Sequence, residues 1–451
     1  IIRNAPRQRF VDFYDAYYRP SRATFIAVGD FDVDAMEAKV RAAFADWKPT
    51  AADGPEPDLG TVAPREPQTS ILVEPGIQPS IQINWIKNPD LEPDPAAERA
   101  ADIRRGLGLS VLNRRLGEIA RADNPPFIGA GAGYQSLFDS LDAGTLSVAF
   151  NPGGWQRALE SVEQESRRLA EYGVTDAELQ REIVNTRTAL QNAVASAATR
   201  STPTLATGLL GAINDDQVFS APQTNLDIFD KAVEGLTVDQ VNQATKAVFE
   251  GQGPLVLFSS PVPVEGGEAA VTAALEASRN TPIQARAVEA ELKWPYDSFG
   301  APAVPASRTE VADLDATLVR FPNGTLLNIK KTDFRAEQIL VSARTGLGEL
   351  GLPADTLSPL SMASTVLTPG GLGKLSLDEI NRVLSGRTYS ASVNQTGDAY
   401  VFSGATKPAD LQLELQVLAA YLTDPGLRAA PFEQTKAMFP QILAQLGATP
   451  R

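Results

Sequence analysis

The sequence contains neither cysteine nor histidine in 451 residues. The absence of cysteine excludes disulfides, thiolate nucleophiles and thiolate metal sites. The absence of histidine excludes the imidazole ligands that zinc enzymes almost always use, and the histidine base of a Ser-His-Asp triad. This chain by itself can therefore build neither a conventional zinc centre nor a serine-protease triad.

Long apolar runs and an excess of positive charge are also missing. No apolar run approaches the ~20 residues needed to cross a bilayer. The 40 basic and 55 acidic residues give a net charge of −15, which disfavours contact with nucleic-acid backbones and with anionic membrane surfaces. We therefore expect no nucleic-acid partner and no membrane span.

What is present indicates a folded protein with several domains. Hydrophobic residues make up 43% of the chain and charged residues 21%, which is typical of globular proteins. At ~150 residues per domain, the length favours about three domains. The chain starts at Ile1 without a targeting pattern and stops just after a helical pattern, so we expect it to be an internal part of a longer protein.

The first ~50 residues predict a helix, a strand and a second helix. The first helix is aromatic-rich, spans Phe10–Tyr18 and is ended by Pro20. The apolar run Thr24–Asp30 is typical of a buried strand. Asp32 and Asp34 precede the second helix. Its apolar residues recur at helical spacing, at Met36, Val40, Phe44 and Trp47.

A second unit begins after a linker-like stretch rich in proline and acidic residues. Alternation in SIQINWIK predicts a strand with one buried face, and a long helix is expected near Ala97–Arg121. GAGAGYQSLF and TLSVAF are strand candidates. Helices follow near Trp155–Tyr172 and Asp176–Ala198. Capping boxes are predicted at Thr175 with Glu178 and at Thr237 with Gln240. A strand is predicted at Leu255–Ser260.

A third unit follows a segment rich in proline and alanine. Asn323-Gly324 lies between two alternating apolar runs and predicts a hairpin turn. Ser376 and Glu379 predict another capping box, and Asp398–Ala405 a strand. The order of strands, long helix, strands and paired helices recurs. The sequence therefore predicts an α+β fold of tandem homologous units, each a largely antiparallel sheet covered by helices on one face.

Two short patterns resemble ligand-binding loops but fail on spacing. The acidic run with Asp30, Asp32, Asp34 and Glu37 has Ala35 where a calcium loop needs glycine, so we interpret it as a favourable helix N-terminus. LTPGGLGKLS has Thr368 and Leu375 where a phosphate loop needs glycine and a hydroxyl residue. We interpret the latter as a glycine turn before a capped helix.

Two further patterns are interpreted structurally. GAGAG, from Gly129 to Gly133, does not open a helix as a dinucleotide fingerprint would, so it predicts a strand that permits close backbone approach. The pairs Arg114-Arg115 and Arg167-Arg168 are predicted to lie on solvated helix faces, and the alternative is that one pair lines a substrate cavity. None of these patterns predicts a catalytic residue.

Two longer segments carry a family resemblance. The first contains Tyr14, Tyr17 and Tyr18, then Pro20, then a strand ending in Gly29-Asp30, and resembles the second half of the catalytic domain of insulinase/pitrilysin-type zinc metallopeptidases. The second is similar to the opening of the third domain in the bacterial envelope branch of that family. It is carried by Leu318, Asn323, Gly324, Lys330, Thr332, Asp333 and Phe334. YGVTDAELQREIVNTRTAL is similar to long helices of the second domain.

The resemblance implies a parent protein of four homologous domains in two halves that close over a chamber, where peptides add to a sheet edge. Zinc is held in that family by His-x-x-Glu-His and a further Glu, and the motif Glu is the general base. All these residues precede the matched region, and the corresponding helix of the third domain falls near Leu360–Ser364, where no ligand is found. We therefore assign no catalytic, cofactor-binding or metal residue to this chain.

The resemblance also implies a division into domains. Residues 1–65 would complete the catalytic domain, 66–265 would form the second domain, 266–311 a linker, and 312–451 the first part of an inactive third domain. We expect the chain to be part of a zinc-dependent endopeptidase, with the zinc bound in the full-length parent. The expected partners are peptide substrates and the remaining halves of the same parent chain. The resemblance also implies an envelope or periplasmic location. The alternative is a non-catalytic homologue that acts as a partner subunit or assembly scaffold.

Overall fold

The computed structural model describes residues 4–89, 91, 96–287, 290–353 and 363–448. The fold is α+β, as predicted. The chain divides into two compact units. The first, here called the N-terminal unit, comprises Ile1–Thr61, Leu91–Asp94 and Arg200–Ser220, and the second, the main unit, comprises the rest of the chain.

The described part of the N-terminal unit is helical. Its α-helices are Arg7–Tyr17 (α1), Val33–Phe44 (α2) and, later in the chain, Thr202–Asn214 (named α6 below in chain order). The predicted helix N-terminus is confirmed, because the Asp32 carboxylate accepts a hydrogen bond from the Ala35 N–H at 2.8 Å. Arg22, which precedes α2, donates to the Asp53 carboxylate at 2.9 Å. Because Asp53 follows α2, this bond joins the two segments that flank the helix.

The predicted buried strand at Thr24–Asp30 is wrong. These residues form no strand, and Phe25 is 59% exposed. A strand requires a neighbour that pairs with its N–H and C=O groups, and the described residues of the N-terminal unit contain none. The apolar run therefore has strand composition without a sheet to join.

The main unit begins with a five-stranded sheet in the order β1-β5-β2-β4-β3. Its strands are Gln68–Val73 (β1), Ser80–Lys87 (β2), Gly129–Leu137 (β3), Leu141–Ala149 (β4) and Gln252–Ser260 (β5). Strands β1 and β5 are parallel, and the other pairs are antiparallel. The predicted alternation in β2 is confirmed, because Ile81 and Ile83 are buried while Gln82 is exposed.

Helices pack against this sheet and complete its core. They are Ala96–Arg121 (α3), Trp155–Tyr172 (α4), Asp176–Ala195 (α5), Pro222–Val233 (α7), Val238–Lys246 (α8) and Gly267–Asn280 (α9). The core includes Leu112 and Leu116 of α3, Leu159 of α4 and Val271 of α9. Both capping boxes predicted here are confirmed, at Thr175 with Glu178 and at Thr237 with Gln240.

A three-stranded meander follows, with Ser307–Val311 (β6), Ala316–Arg320 (β7) and Leu326–Lys330 (β8). The predicted hairpin is confirmed, because β7 and β8 are antiparallel with Arg320 opposite Leu326. Gly324 has a φ of +90°, which explains the glycine, and the Asn323 side chain accepts from the Thr325 N–H at 3.0 Å.

A second core lies towards the end of the chain. Its sheet has the order β10-β11-β9, formed by Ile339–Thr345 (β9), Ser392–Gln395 (β10) and Tyr400–Thr406 (β11). The helices there are Ala363–Leu367 (α10), Leu377–Val383 (α11), Leu411–Thr423 (α12) and Ala429–Ala448 (α13). The capping box at Ser376 and Glu379 is confirmed. Most of the helix expected near Leu360–Ser364 lies outside the described residues, which resume at Ala363 with α10.

The two cores of the main unit meet through polar groups. Arg121 of α3 forms an ion pair with Asp378 of α11, and Asn185 of α5 accepts from the Gly386 N–H at 2.8 Å. Helix α9 lies in the segment predicted as linker and contributes Leu275 to the first core. The division of the chain into peptidase-like domains at 65, 265 and 311 stays a prediction.

Candidate functional site

The acidic run and the glycine turn behave as interpreted from the sequence. Asp32 caps α2, and the described residues contain no group of three or more His, Cys, Asp or Glu side chains that could hold a metal ion. In the second pattern, Leu372 is fully buried and Gly371 adopts a φ of +67°, so the segment is a packed turn before α11.

The prediction that Arg115 lies on a solvated helix face is wrong. Arg115 is 3% exposed, and its Nε and Nη2 atoms donate to the two carboxylate oxygens of Glu178, each at 2.7 Å. Nη2 also donates to the Gly173 carbonyl at 3.0 Å. This two-point ion pair joins the C-terminal half of α3 to the first turn of α5, and the bond to Gly173 adds the connection between α4 and α5.

The other three arginines are also partly buried. Arg114 pairs with Glu182 of α5, with 2.6 Å between Nη2 and Oε1. Arg167 pairs with Glu163 at 2.9 Å and donates to the carbonyls that end α9, those of Ser278 and Thr281. Arg168 pairs with the buried Glu165. Glu163 and Glu165 lie within the same helix, whereas Glu182, Ser278 and Thr281 come from other elements and could not be identified from the sequence. The solvated interpretation fails for both pairs.

Glu178 has two roles, only one of which the capping-box pattern predicts. Its carboxylate accepts from the Thr175 N–H at 2.8 Å as well as from Arg115. Burial raises its pKa, but the hydrogen bonds from Arg115 and Thr175 outweigh burial and lower the pKa to about 2. Glu178 is therefore charged at neutral pH, and the ion pair is a structural feature of the scaffold.

Among the strands that the structure describes, the glycine-rich β3 forms one edge of the five-stranded sheet and pairs only with β4. A Cβ added at Gly129 or Gly133 would meet no atom within 4 Å, so the face of the sheet is open at these two residues. This agrees with the prediction of a strand that permits close backbone approach. An open edge of this kind can pair with an extended peptide.

Asn113 closes the middle of this edge, a contact that the sequence analysis missed. Its side-chain amide donates to the Ala132 carbonyl at 2.9 Å and accepts from the Ala132 N–H at 2.7 Å. Because backbone groups alternate between the two sides of an antiparallel strand, those of Ala130 and Tyr134 are directed to the same edge. Asn113 therefore occupies one of several pairing positions along β3.

A cationic cluster lies beside the same strand. The guanidinium of Arg105 stands 3.8 Å from the Tyr134 ring centroid, and Lys87 Nζ lies 5.1 Å from it. The Tyr134 hydroxyl donates to the buried Asp142 at 2.7 Å, and burial followed by this hydrogen bond raises the pKa of Tyr134. The phenol is therefore neutral and fixed, and its ring supports two cations at the edge.

Comparison with known proteins assigns the fold to a family. Residues 4–185 match the family described as the Peptidase M16 inactive domain. The chain is 21% identical over 427 residues to a probable zinc protease, PqqL, of Haemophilus influenzae, covering 91% of this chain and 45% of that protein. The chain thus spans less than half the length of this relative.

Two solved structures share the fold. The periplasmic protease PqqL of Escherichia coli superposes with a TM-score of 0.55 at 17% identity, over 99% of this chain and 50% of that one. The ferredoxin protease FusC, solved with Arabidopsis ferredoxin, superposes with a TM-score of 0.57 at 15% identity, over 98% of this chain and 50% of that one. No described helix has the length and apolar character of a membrane span. The family match, the curated relative and the shared fold identify the chain as a homologue of the insulinase/pitrilysin-type (M16) zinc proteases.

Proposed function

We propose that this chain supplies part of the chamber wall and the substrate-binding scaffold of a zinc-dependent endopeptidase. Zinc and the general base would come from another part of the full-length protein, since this chain has no histidine or cysteine. Peptides would be the substrates, and the remaining halves of the same parent chain the partners. A periplasmic or envelope location is part of the proposal, supported by the Escherichia coli relative described as periplasmic.

The open edge of β3 is the observation that carries the scaffold proposal. An extended peptide could pair with the outward N–H and C=O groups of Ala130 and Tyr134, and the glycines let its backbone approach closely. Arg105 is already paired with Asp102, so Lys87 is the cation that would favour an acidic residue in such a peptide. At Ala132 the peptide would have to displace the Asn113 amide.

Proline substitutions test this edge. Ala130→Pro removes an outward N–H that β4 does not use, so we expect β3 to remain paired while peptide binding weakens about tenfold. The measurement is fluorescence anisotropy with a mixed library of labelled ten-residue peptides. Asn113→Ala should strengthen binding, because the peptide no longer competes with the side-chain amide.

Gly131→Pro is the matched control, since the alternation directs its N–H to β4. This variant should lose thermal stability, unlike Ala130→Pro. Equal peptide affinity for the wild-type chain, Ala130→Pro and Asn113→Ala would remove the β3 edge from the proposal.

The exposed aromatic residues of the N-terminal unit support a larger parent domain. Helices α1, α2 and α6 contain no buried residue. The exposed aromatic side chains there include Phe10, Phe13, Phe25, Phe44 and Trp47. Apolar side chains of this size normally pack against another layer of secondary structure. The half-domain that holds the zinc motif in this family is the layer that we propose to cover them.

The sequence of the full-length protein tests the enzymatic part of the proposal. We expect His-x-x-Glu-His within ~200 residues before Ile1, with a further Glu between the motif and Ile1. Zinc should copurify with the full-length protein and be lost on dialysis from this chain alone, which offers only oxygen ligands. Chelators and a Glu→Gln change in the motif should abolish peptidase activity.

The second candidate function is that of a non-catalytic partner subunit or assembly scaffold. The fold is compatible with it, because this chain has no histidine and therefore no His-x-x-Glu-His motif. An intact preceding half-domain with other residues at the motif positions would favour this candidate over the protease.

A further inference from the structure

A cavity of about 220 Å³ opens between the first sheet and the helices α4, α8 and α9. Its floor is formed by Ile83, Leu146 and Leu275, which are 1%, 2% and 5% exposed. An apolar cavity of roughly 150 Å³ in a protein core can bind benzene. This cavity, here called the α4–α9 cavity, can therefore hold a somewhat larger apolar group.

Aromatic rings form one wall. The rings of Trp85 and Phe249 pack edge to face with centroids 5.3 Å apart, and both line the cavity. Both residues are partly exposed, whereas the floor is buried. The cavity is thus apolar in depth and reaches solvent along this wall and past Ala170 of α4, which is exposed.

The inner charges of the cavity are already satisfied. Glu163 accepts from Arg167 Nε at 2.9 Å and from the Ser278 hydroxyl at 2.5 Å. Arg167 in turn donates to the carbonyls of Ser278 and Thr281 at 3.0 and 2.9 Å. This pair therefore seals one side of the cavity and leaves no charge for a ligand.

The rim has an excess of cations. Lys246 and Arg279 line the cavity and are exposed, and neither forms an ion pair with a described residue. Glu250 is the one acidic side chain at the exposed rim, so the rim carries a net positive charge despite the acidity of the chain as a whole.

We propose that the α4–α9 cavity binds a small free carboxylate with an apolar tail, such as a medium-chain or arylalkyl carboxylate. The tail would lie on Ile83, Leu146 and Leu275, and the carboxylate would pair with Lys246 and Arg279. An apolar cavity with a few polar groups at defined positions is the usual form of a small-molecule site.

Calorimetric titration of the chain with octanoate, octanol and octylamine tests the proposal. We expect octanoate to bind about tenfold more tightly than octylamine, because the rim repels an ammonium group. The double variant Lys246→Gln/Arg279→Gln should remove this preference. Lys330→Gln/Lys331→Gln removes the same charge from exposed positions that do not line the cavity and should leave octanoate binding unchanged.

The position of the carboxylate-binding site is tested by substitutions that block the entrance to the α4–α9 cavity. Ala170→Trp places a large side chain at the exposed rim and should abolish binding with little effect on the core. Ser166→Leu narrows the interior from the same helix and provides a second block, and circular dichroism checks that both variants fold. Octanoate should change tryptophan fluorescence in the wild-type chain but not in Trp85→Phe.

Several outcomes would overturn the proposal. These are equal binding of octylamine and octanoate, undiminished octanoate binding by the double cation variant, and octanoate binding by both blocked variants. Binding only of peptides with an apolar C-terminal residue, and not of octanoate, would also contradict it.

Discussion

Replacing Arg115 with methionine is expected to destabilise the main unit by about 3–5 kcal/mol, the cost of removing one partner from a buried ion pair. Arg115 is 3% exposed and forms two 2.7 Å hydrogen bonds to Glu178. Its Nη1 also lies 3.8 Å from Glu165, which is 1% exposed. The substitution therefore leaves Glu178 buried without its cation, whereas Glu165 keeps its ion pair with Arg168.

Urea denaturation followed by tryptophan fluorescence measures this effect, since Trp85 and Trp155 pack against the first core. Arg344→Met is the control, because Arg344 forms an ion pair with Asp398 in which both side chains are exposed. Loss of this pair should lower the free energy of unfolding by less than about 1 kcal/mol. A loss below 1 kcal/mol for Arg115→Met would show that the buried pair contributes little.

The same variant should change the response to acid. The pKa of Glu178 in the folded chain is about 2, below its ordinary value of 4.5, so its contribution is present above pH 4.5 and is lost as the pH falls towards 2. This contribution amounts to about 3 kcal/mol. The difference in unfolding free energy between wild type and Arg115→Met should therefore shrink across this range. A constant difference from pH 6 to pH 3 would contradict the assigned pKa.

Gly144→Ala is the second substitution with a large expected effect. Gly144 lies in β4, between β2 and β3, and a Cβ there would meet the Val248 carbonyl oxygen at 1.8 Å and its carbon at 2.8 Å. Because these are backbone atoms, no side-chain rotation can relieve the contact. We expect a loss of about 3 kcal/mol, at the upper end of the usual cost of overpacking.

Gly133→Ala in the adjacent strand is the matched control. A Cβ there meets no atom within 4 Å, so its effect on the free energy of unfolding should stay within about 0.5 kcal/mol. Similar thermal denaturation of the two variants would show that the approach of Val248 to β4 does not restrict this position.

Local patterns in the sequence determined most of the secondary structure. The three capping boxes at Thr175, Thr237 and Ser376 were predicted correctly, because each depends on residues three positions apart. The same holds for the Asn323-Gly324 hairpin, whose turn needs only a residue that accepts a positive φ. The family motifs were also local, and the comparisons agree with them.

Contacts between distant elements were not predictable in this way. The Arg114-Arg115 pair on α3 resembles a solvated helix face, and only the packing of α5 against α3 places Glu178 and Glu182 beside it. The amide of Asn113 at the β3 edge and the α4–α9 cavity likewise involve elements far apart in the chain.

The sequence by itself determined the α+β class, the positions of most helix starts and turns, the family resemblance, and the absence of imidazole and thiolate chemistry. These depend on composition and on neighbours within a few residues. Tertiary structure decided which charges are buried, which strand lies at an edge, and that Thr24–Asp30 has no strand partner among the described residues of its unit. The physical reason is that burial and strand pairing depend on which distant segments meet, and amphipathic periodicity identifies a face to be covered without identifying what covers it.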